Sequence, residues 1–510
     1  MPNGSVNVMK RQPFKLLYDL HAWIGLACGL IFYVISLAGV CALFDRELSP
    51  WQRGDTAPPA ALAPQVLDRA VARALNAAPD AAVRNLQITL PTGYHPVLSI
   101  RLGDPRQTIH IAPDNGQPIT TNENDAAGVL TRLHTDMLLP QPLGRYLVGL
   151  IGLLMLVSVL SGLFLHRKFI REFFTFRLGR SRRLMLADLH KSIGLWGLPF
   201  HAVMALTGTL LGFVGLLLPL ATFISFKGDT QAATEALMGG PMPPALSIPA
   251  DTIPLSQALA IARTEFPVLS PRIVSVRGHD TAGARIEIIG DVSGTLIYYP
   301  WVTLDGASGQ VLSVTDWSRE TLGRRVYGMI APLHYGSFGG IAVKVLYVLF
   351  GAGNCILILS GLWVWRSRLP APPNRLARAW DRSTAAVCCG LPMAIVVLFI
   401  AARLIPGQTG IAQSHLIAIL LASWGAAALW AGWRPTHRGG RELLIATGAC
   451  LIAIPLISWL TTGVHLINAY TAGGTASAVA DLVALTLGVG LIFGAIPFRN
   501  QNRPPLINRK

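Results

Sequence analysis

One phrase is written twice in this chain of 510 residues, and the repeat limits what the chain can fold into. Leu20-His21-Ala22-Trp23-Ile24-Gly25-Leu26 opens the first long apolar run, and Leu189-His190-Lys191-Ser192-Ile193-Gly194-Leu195 opens the third. At the same offset Leu37 and Gly39 match Leu206 and Gly208. Leu133-His134 and Leu333-His334 stand just before the second and fourth runs. Those runs close on Ser161-Gly162-Leu163 and Ser360-Gly361-Leu362, each followed by an arginine, Arg167 and Arg366. The first two thirds of the chain therefore read as one unit used twice: apolar helix, polar segment, apolar helix. Each copy carries a histidine in its first helix and another before its second.

About 20 consecutive apolar residues suffice to cross a bilayer. Eight runs reach that length, near 17–44, 144–165, 189–224, 340–365, 385–404, 412–432, 442–468 and 477–497. With 52% hydrophobic and only 13% charged residues, the chain is too apolar for a soluble protein of this size. A net charge of +16 does not mark a nucleic-acid partner, because Lys and Arg cluster in short segments between the runs. The third run would be roughly 54 Å long as one helix, against a hydrocarbon core of about 30 Å. It must tilt, break near Pro199 or Pro219, or project from the membrane. Six cysteines, all inside apolar runs and without a C-x-x-C spacing, read as small buried hydrophobes. The first run lacks a cleavage site and reads as a retained anchor.

The chain divides into an N-terminal tail and first span (1–44), a polar segment (45–142), spans two and three around a basic loop (143–225), a second polar segment (226–337), span four (338–366), a basic linker (367–384), four further spans (385–498) and a tail (499–510). The basic loops and both termini fall on one side, which the positive-inside rule makes cytoplasmic. The polar segments then lie outside, in the periplasm of a Gram-negative cell. Each shows a helical stretch, 64–76 and 255–266, followed by strand-like stretches and an Asp-containing turn closed by Gly116 or Gly309. The strand-like stretches are 86–90, 97–102 and 108–112 in the first, and 274–276, 285–289 and 295–299 in the second. The expected fold is a polytopic α-helical membrane protein of about eight spans with two small α+β domains.

Histidine is costly in a lipid-facing run unless it is paired. Here His21, His166 and His190 lie near one end of the spans, and His134 and His334 near the other. His201 follows His190 by eleven residues, which on a straight helix returns to one face about 16 Å higher. Stacked histidines in a bundle core suit bis-imidazole haem, and Gly25, Gly29, Gly194, Gly197, Gly208 and Gly212 leave room for a flat ring. Repetition pairs His21 with His190, with His166 as a substitute ligand, and His134 with His334. Each histidine also has a plain reading as an interfacial hydrogen-bonding residue, and His190 as a cap after Asp188. The glycines serve equally for close helix packing.

The duplicated L-H-x-x-I-G-L phrases, the Leu-His pairs, the S-G-L-x-x-x-R ends and the turns Asp114–Gln117 and Asp305–Gln310 together resemble the PepSY-associated transmembrane helix family, over about residues 15–370. That family includes bacterial iron-regulated membrane proteins and siderophore reductases. The resemblance implies PepSY-like outside domains, haem held by the membrane histidines, and electron transfer to a ferric siderophore on the outer face. The expectation is two b-type haems ligated by His21, His190, His134 and His334, with His201 lining the gap between them or offering an alternative ligand, in an inner-membrane ferric-siderophore reductase. No dinucleotide-binding fingerprint or P-loop is present, so a separate donor, quinol or a cytoplasmic reductase, must supply electrons. The rival expectations are a non-catalytic sensor or assembly factor, and a transporter built on the last four spans.

Overall fold

The computed structural model describes residues 5–53, 61–77, 85–102, 107–119, 125–165, 173–174, 181–238, 248–296, 298, 300–315, 320–369, 372–405, 413–436, 438–471 and 475–496. His166 and most of the basic loop around it lie outside the described residues. The chain is a polytopic helical membrane protein: seven helices are long and apolar enough to span, and a bent pair makes an eighth if counted as one span.

The first repeat comprises α1 (Ser5–Ala42), α2 (Asp45–Arg53), α3 (Pro64–Asn76), β1 (Asn85–Thr89), β2 (Leu98–Leu102), β3 (Gln107–Ile111), α4 (Ala126–Asp136) and α5 (Leu143–Leu165). The second comprises α6 (Arg182–Trp196), α7 (Leu198–Gly212), α8 (Val214–Phe226), α9 (Thr230–Met238), α10 (Leu255–Glu265), β4 (Ser270–Arg277), β5 (Arg285–Asp291), β6 (Trp301–Asp305), β7 (Val311–Thr315), α11 (Leu322–Tyr335) and α12 (Gly340–Arg366). Helices α13 (Arg375–Cys388), α14 (Gly390–Leu404), α15 (Gln413–Trp433), α16 (Gly439–Thr462), α17 (Leu466–Thr471) and α18 (Thr475–Ala495) complete the chain.

The third run breaks, but at Gly197 rather than at a proline. Gly197 ends α6 and Leu198-Pro199 starts α7, where proline's missing N–H costs nothing. The two helices bend by 68°. Pro219 stays inside α8 without ending it.

The two polar segments do not stand apart. Their strands form one antiparallel sheet in the order β3-β2-β1-β4-β5-β6-β7, joined where Leu86 faces Val276 and Ile88 faces Val274. Of the expected strand 295–299, the described residues Thr295, Leu296 and Tyr298 lie in bends or irregular backbone, residues 297 and 299 lie outside the described residues, and β6 begins at Trp301. One face of the sheet is apolar, and α3 and α10 cover it in a single core containing Leu67, Ile88, Ile100, Val274, Ile286 and Leu304. The Asp68 carboxylate of α3 accepts the Ser256 backbone N–H in the first turn of α10, at 3.1 Å. That satisfies one orphan helix donor and ties the two modules together.

Below the sheet, α1, α5, α7 and α12 with α6 form the repeat's bundle: α1 packs on α5 and α12, α5 on α7, and α6 on α12. The last helices pack on the first repeat, α18 and α14 against α2, and α14 and α15 against α4. All six cysteines are free thiols.

Candidate functional site

The histidines meet in the pairs that the repeat suggests. His21 on α1 and His190 on α6 have ring centroids 6.1 Å apart at 76°. His134, in the last turn of α4, and His334, in the last turn of α11, lie 5.9 Å apart at 25°. The first pair lies at the end of the bundle away from the sheet, and the second at the sheet-bearing end.

One detail differs from the reading of the sequence. His190 does not cap a helix: α6 starts at Arg182 with the Ser181 side chain as its N-cap, so His190 is well inside it. His134 and His334 stand before the spans α5 and α12, as the sequence places them. Each ends a separate short helix, and a left-handed residue, Met137 or Gly336, follows as the chain turns toward the span.

Each ring is anchored through Nδ1. His21 donates to the Ser158 carbonyl at 2.9 Å, and His190 to the Leu357 carbonyl at 2.8 Å. These carbonyls sit three residues before Ser161 and Ser360, whose hydroxyls bond the same carbonyls at 3.0 and 2.8 Å. His134 donates to the Ile35 carbonyl at 2.9 Å. His334 instead meets the Thr207 hydroxyl at 2.9 Å, which itself donates to the Val203 carbonyl at 2.6 Å. A ring that donates from Nδ1 presents Nε2 as its lone-pair nitrogen, and the bond holds that tautomer.

A glycine lies against each ring. A Cβ on Gly162 would stand 3.1 Å from the His21 Cε1, and one on Gly361 2.9 Å from the His190 Cε1. Gly39 and Gly208 stand in the same relation to His134 and His334, at 2.8 and 3.0 Å. This is why Ser-Gly recurs at the ends of α5 and α12, and why Gly39 and Gly208 recur at one offset. Only Gly208 among these four belongs to the set expected from the sequence. Gly212 instead packs α7 on Gly149 of α5, and Gly29 meets Leu362.

His201 is buried at 2% exposure, and its ring bonds the Phe350 backbone. The 68° bend at Gly197 separates it from the helical register of His190, so the one-face argument fails. It nevertheless lines the cavity of the His134–His334 pair, as does Phe32, its counterpart in the first repeat. Its Nε2 has no hydrogen-bond partner among the described residues.

That cavity measures about 790 Å³, within the range of roughly 300–1,000 Å³ usual for cofactor sites. A second, more polar cleft of about 1060 Å³ lies between α2 and the uncovered face of the sheet. Asp45, Arg46, Tyr94 and Asp291 line both, so the cleft adjoins the histidine cavity. Burial, and then the Asp125 carboxylate, push the Asp45 acid up to about 6. Arg272 holds Asp291 with contacts of 3.0 and 3.2 Å.

The donor set can be tested against haem. Two imidazoles on opposite sides of one metal, each bonded at about 2 Å, put their ring centres roughly 6 Å apart. Both pairs have that separation. A bare zinc ion takes at least three protein ligands, and no cluster of three His, Cys, Asp or Glu occurs among the described residues. Haem brings its own equatorial nitrogens and asks the protein only for axial ligands. The residues fit it.

Fold and site together define a class: a membrane protein whose duplicated helical unit holds histidines in facing pairs beneath a shared sheet. Residues 18–368 match the PepSY-associated TM region, and the chain belongs to that family. An uncharacterized protein of Pseudomonas aeruginosa is 31% identical over 353 residues, 66% of this chain and 89% of the relative. The family match stops before α13, so the last helices lie beyond it.

Proposed function

We propose that the protein is a haem-bearing oxidoreductase of the bacterial inner membrane that reduces a ferric chelate, such as a ferric siderophore, at the periplasmic face. The observation that carries the reading is the pair of facing imidazole sets, each anchored through Nδ1 and each with glycine beside the ring. His21 and His190 would hold one haem, and His134 and His334 the other. Haem bound there supplies a one-electron iron couple. The chain has no C-x-x-C-H attachment motif, so both groups would be b-type.

The protein's own part is to orient and insulate. The Ser158, Leu357 and Ile35 carbonyls and the Thr207 hydroxyl fix the rings and raise their basicity. The bundle partly buries all four of these histidines. Basic residues gather at the end away from the sheet, where Arg366 pairs with Asp381 at 2.7 Å and Arg182 lies over Trp363. By the positive-inside rule that end and both termini are cytoplasmic, and the sheet is periplasmic. Electrons would enter on the His21–His190 side, from quinol or a separate cytoplasmic reductase, and leave on the His134–His334 side. A chelate would dock in the polar cleft without entering lipid.

The visible spectrum of the purified protein tests this. A Soret band with sharp reduced α and β bands, discharged by a ferric siderophore, is the expected result. A colourless, fully folded preparation overturns it and favours a non-catalytic sensor or assembly factor.

A further inference from the structure

The sheet's uncovered face carries a feature that electron transfer alone does not require. Ser99 on β2 and His110 on β3 stand directly opposite each other across the strand pair. The Ser99 hydroxyl lies 2.9 Å from the His110 Nδ1 and 2.8 Å from the His95 Nε2. Ser99 is buried, at 7% exposure. Two imidazoles are thus bridged by one hydroxyl, and both line the polar cleft. His95 adjoins Tyr94, which lines the cleft and the cavity of the His134–His334 pair.

A hydroxyl has one proton, so it donates to one ring and accepts from the other. His95 is held neutral by burial and by Arg53, His110 and Arg272 around it, which lower its pKa to about 4. Asp45, Arg46, Arg101, Asp125 and Asp291 complete the charged lining. A neutral imidazole offers one donor and one acceptor nitrogen, which is what a relay needs.

We propose that His95, Ser99 and His110 form a proton relay that protonates the donor oxygens of the bound ferric chelate as its iron is reduced. The inference rests on the reductase reading and adds the chemistry of release. One electron, drawn from the separate donor, converts the ferric ion to ferrous. Each anionic hydroxamate or catecholate oxygen that leaves the iron forms an O–H bond with the proton from His95 Nδ1. His95 Nε2 takes the Ser99 proton, Ser99 takes the one on His110 Nδ1, and water supplies His110 Nε2. The oxygen is then neutral and cannot easily recapture the metal. His95 is the exit because it lines the polar cleft next to Tyr94, which also lines the histidine cavity. The substrate class is an oxygen-donor chelate whose ligating groups are weak acids.

The test uses the full-length protein with its haem, reduced with dithionite and mixed rapidly with a ferric trihydroxamate in ordinary and heavy water. Wild-type re-oxidation should be slower in heavy water. His95→Gln and Ser99→Ala should slow re-oxidation by roughly tenfold or more, in keeping with general acid catalysis, and abolish the isotope effect. The gallium complex of the same chelator cannot accept the electron, and its affinity by calorimetry should be unchanged in Ser99→Ala, since Ser99 does not line the cleft. Variants that keep the wild-type rate and isotope effect overturn the relay while leaving the reductase reading intact. So does a fall in gallium affinity in Ser99→Ala that accounts for its lost rate. A wild-type protein that binds haem but is not re-oxidised by any ferric chelate overturns the reductase reading, and the relay with it.

Discussion

A Cβ added to Gly361 would lie 2.9 Å from the Cε1 of His190, on the other repeat helix of the pair α6–α12. The ring's position is therefore set from two sides, by the Leu357 carbonyl that takes its Nδ1 proton and by the absence of a side chain beneath it. If His21 and His190 hold a haem as proposed, Gly361→Val should displace the His190 ring and convert that haem from low to high spin, leaving one held by His134 and His334 unchanged. Electron paramagnetic resonance of the purified variant checks this. An unchanged low-spin signal would mean that α12 yields to accommodate the valine.

The two halves of the outer pair are not equivalent, because His134 bonds a backbone carbonyl and His334 a hydroxyl. Thr207→Val keeps the shape and removes the acceptor, leaving the His334 Nδ1–H buried and unsatisfied at a cost of about 1–3 kcal/mol. The weaker hydrogen bond lowers the ring's basicity. If haem is held as proposed, a redox titration should show one of two potentials shifted to a more positive value, since a less basic ligand stabilises the oxidised iron less. Two shifted potentials, or none, would contradict the assignment.

Much of this was legible in the sequence, and the reasons differ by element. Apolar length and the repeat suffice to find the spans, because a bilayer demands both length and composition. The repeat also paired His21 with His190 and His134 with His334. The single sheet was not legible, since Leu86 and Val276 meet only through the arrangement of both repeats. Ser161-Gly162 was visible as a motif, but its task belongs to a ring on another helix, so no local spacing revealed it. The break at Gly197 lay two residues before the proline that announced it. The contact between Trp51 and Arg403 carries no sequence signal that we can identify.

That contact leads to a stability prediction. The Trp51 indole donates to Asp481 at 2.8 Å, and the Arg403 guanidinium lies 4.6 Å from the Trp51 ring centre and donates to Ser458 and to the Trp51 carbonyl. Next to Trp51, Gln52 accepts the Ala126 N–H at the start of α4, the helix that carries His134. Asp481→Ala would leave the buried Trp51 indole N–H without its acceptor, a loss of about 1–3 kcal/mol. Asp481→Asn keeps an acceptor for the indole and should lose less. Thermal unfolding in detergent should rank wild type above Asn above Ala, and equal midpoints for all three would remove the network from the account.

His95 makes the stability depend on pH. Its pKa in the fold, about 4, lies below the ordinary 6.5. Above 6.5 both folded and unfolded chains leave it neutral, and it contributes nothing. As pH falls below 6.5 the unfolded chain takes up a proton that the folded site refuses, so stability drops until about pH 4. The loss is on the order of 2 kcal/mol after allowing for partial solvent exposure. Denaturant midpoints of wild type should fall across that window more steeply than those of His95→Gln. Parallel curves would place the acid sensitivity elsewhere.

The prediction closest to function concerns the outer pair. His134 and His334 end α4 and α11, the two short helices between the sheet and the spans. Their cavity shares Asp45, Arg46, Tyr94 and Asp291 with the polar cleft above it. A chelate in that cleft is nearer to this pair than to His21 and His190 at the far end of the bundle. If electrons leave here, His134→Ala and His334→Ala should each abolish ferric-siderophore reduction. A haem held by His21 and His190, as proposed, should still be reducible from the end of the bundle away from the sheet, since those histidines and their glycines belong to other turns of the bundle. Loss of one haem equivalent by pyridine haemochrome assay should accompany the lost activity. His201 stands in the same cavity with a buried Nε2 that lacks a partner among the described residues, so it is the nitrogen available to replace a deleted ligand. The double variant with His201→Ala separates direct loss from such rescue: activity in the single variants that disappears only in the double one identifies His201 as the substitute. Full activity in every variant, with both haems retained, would put the electron exit outside this cavity.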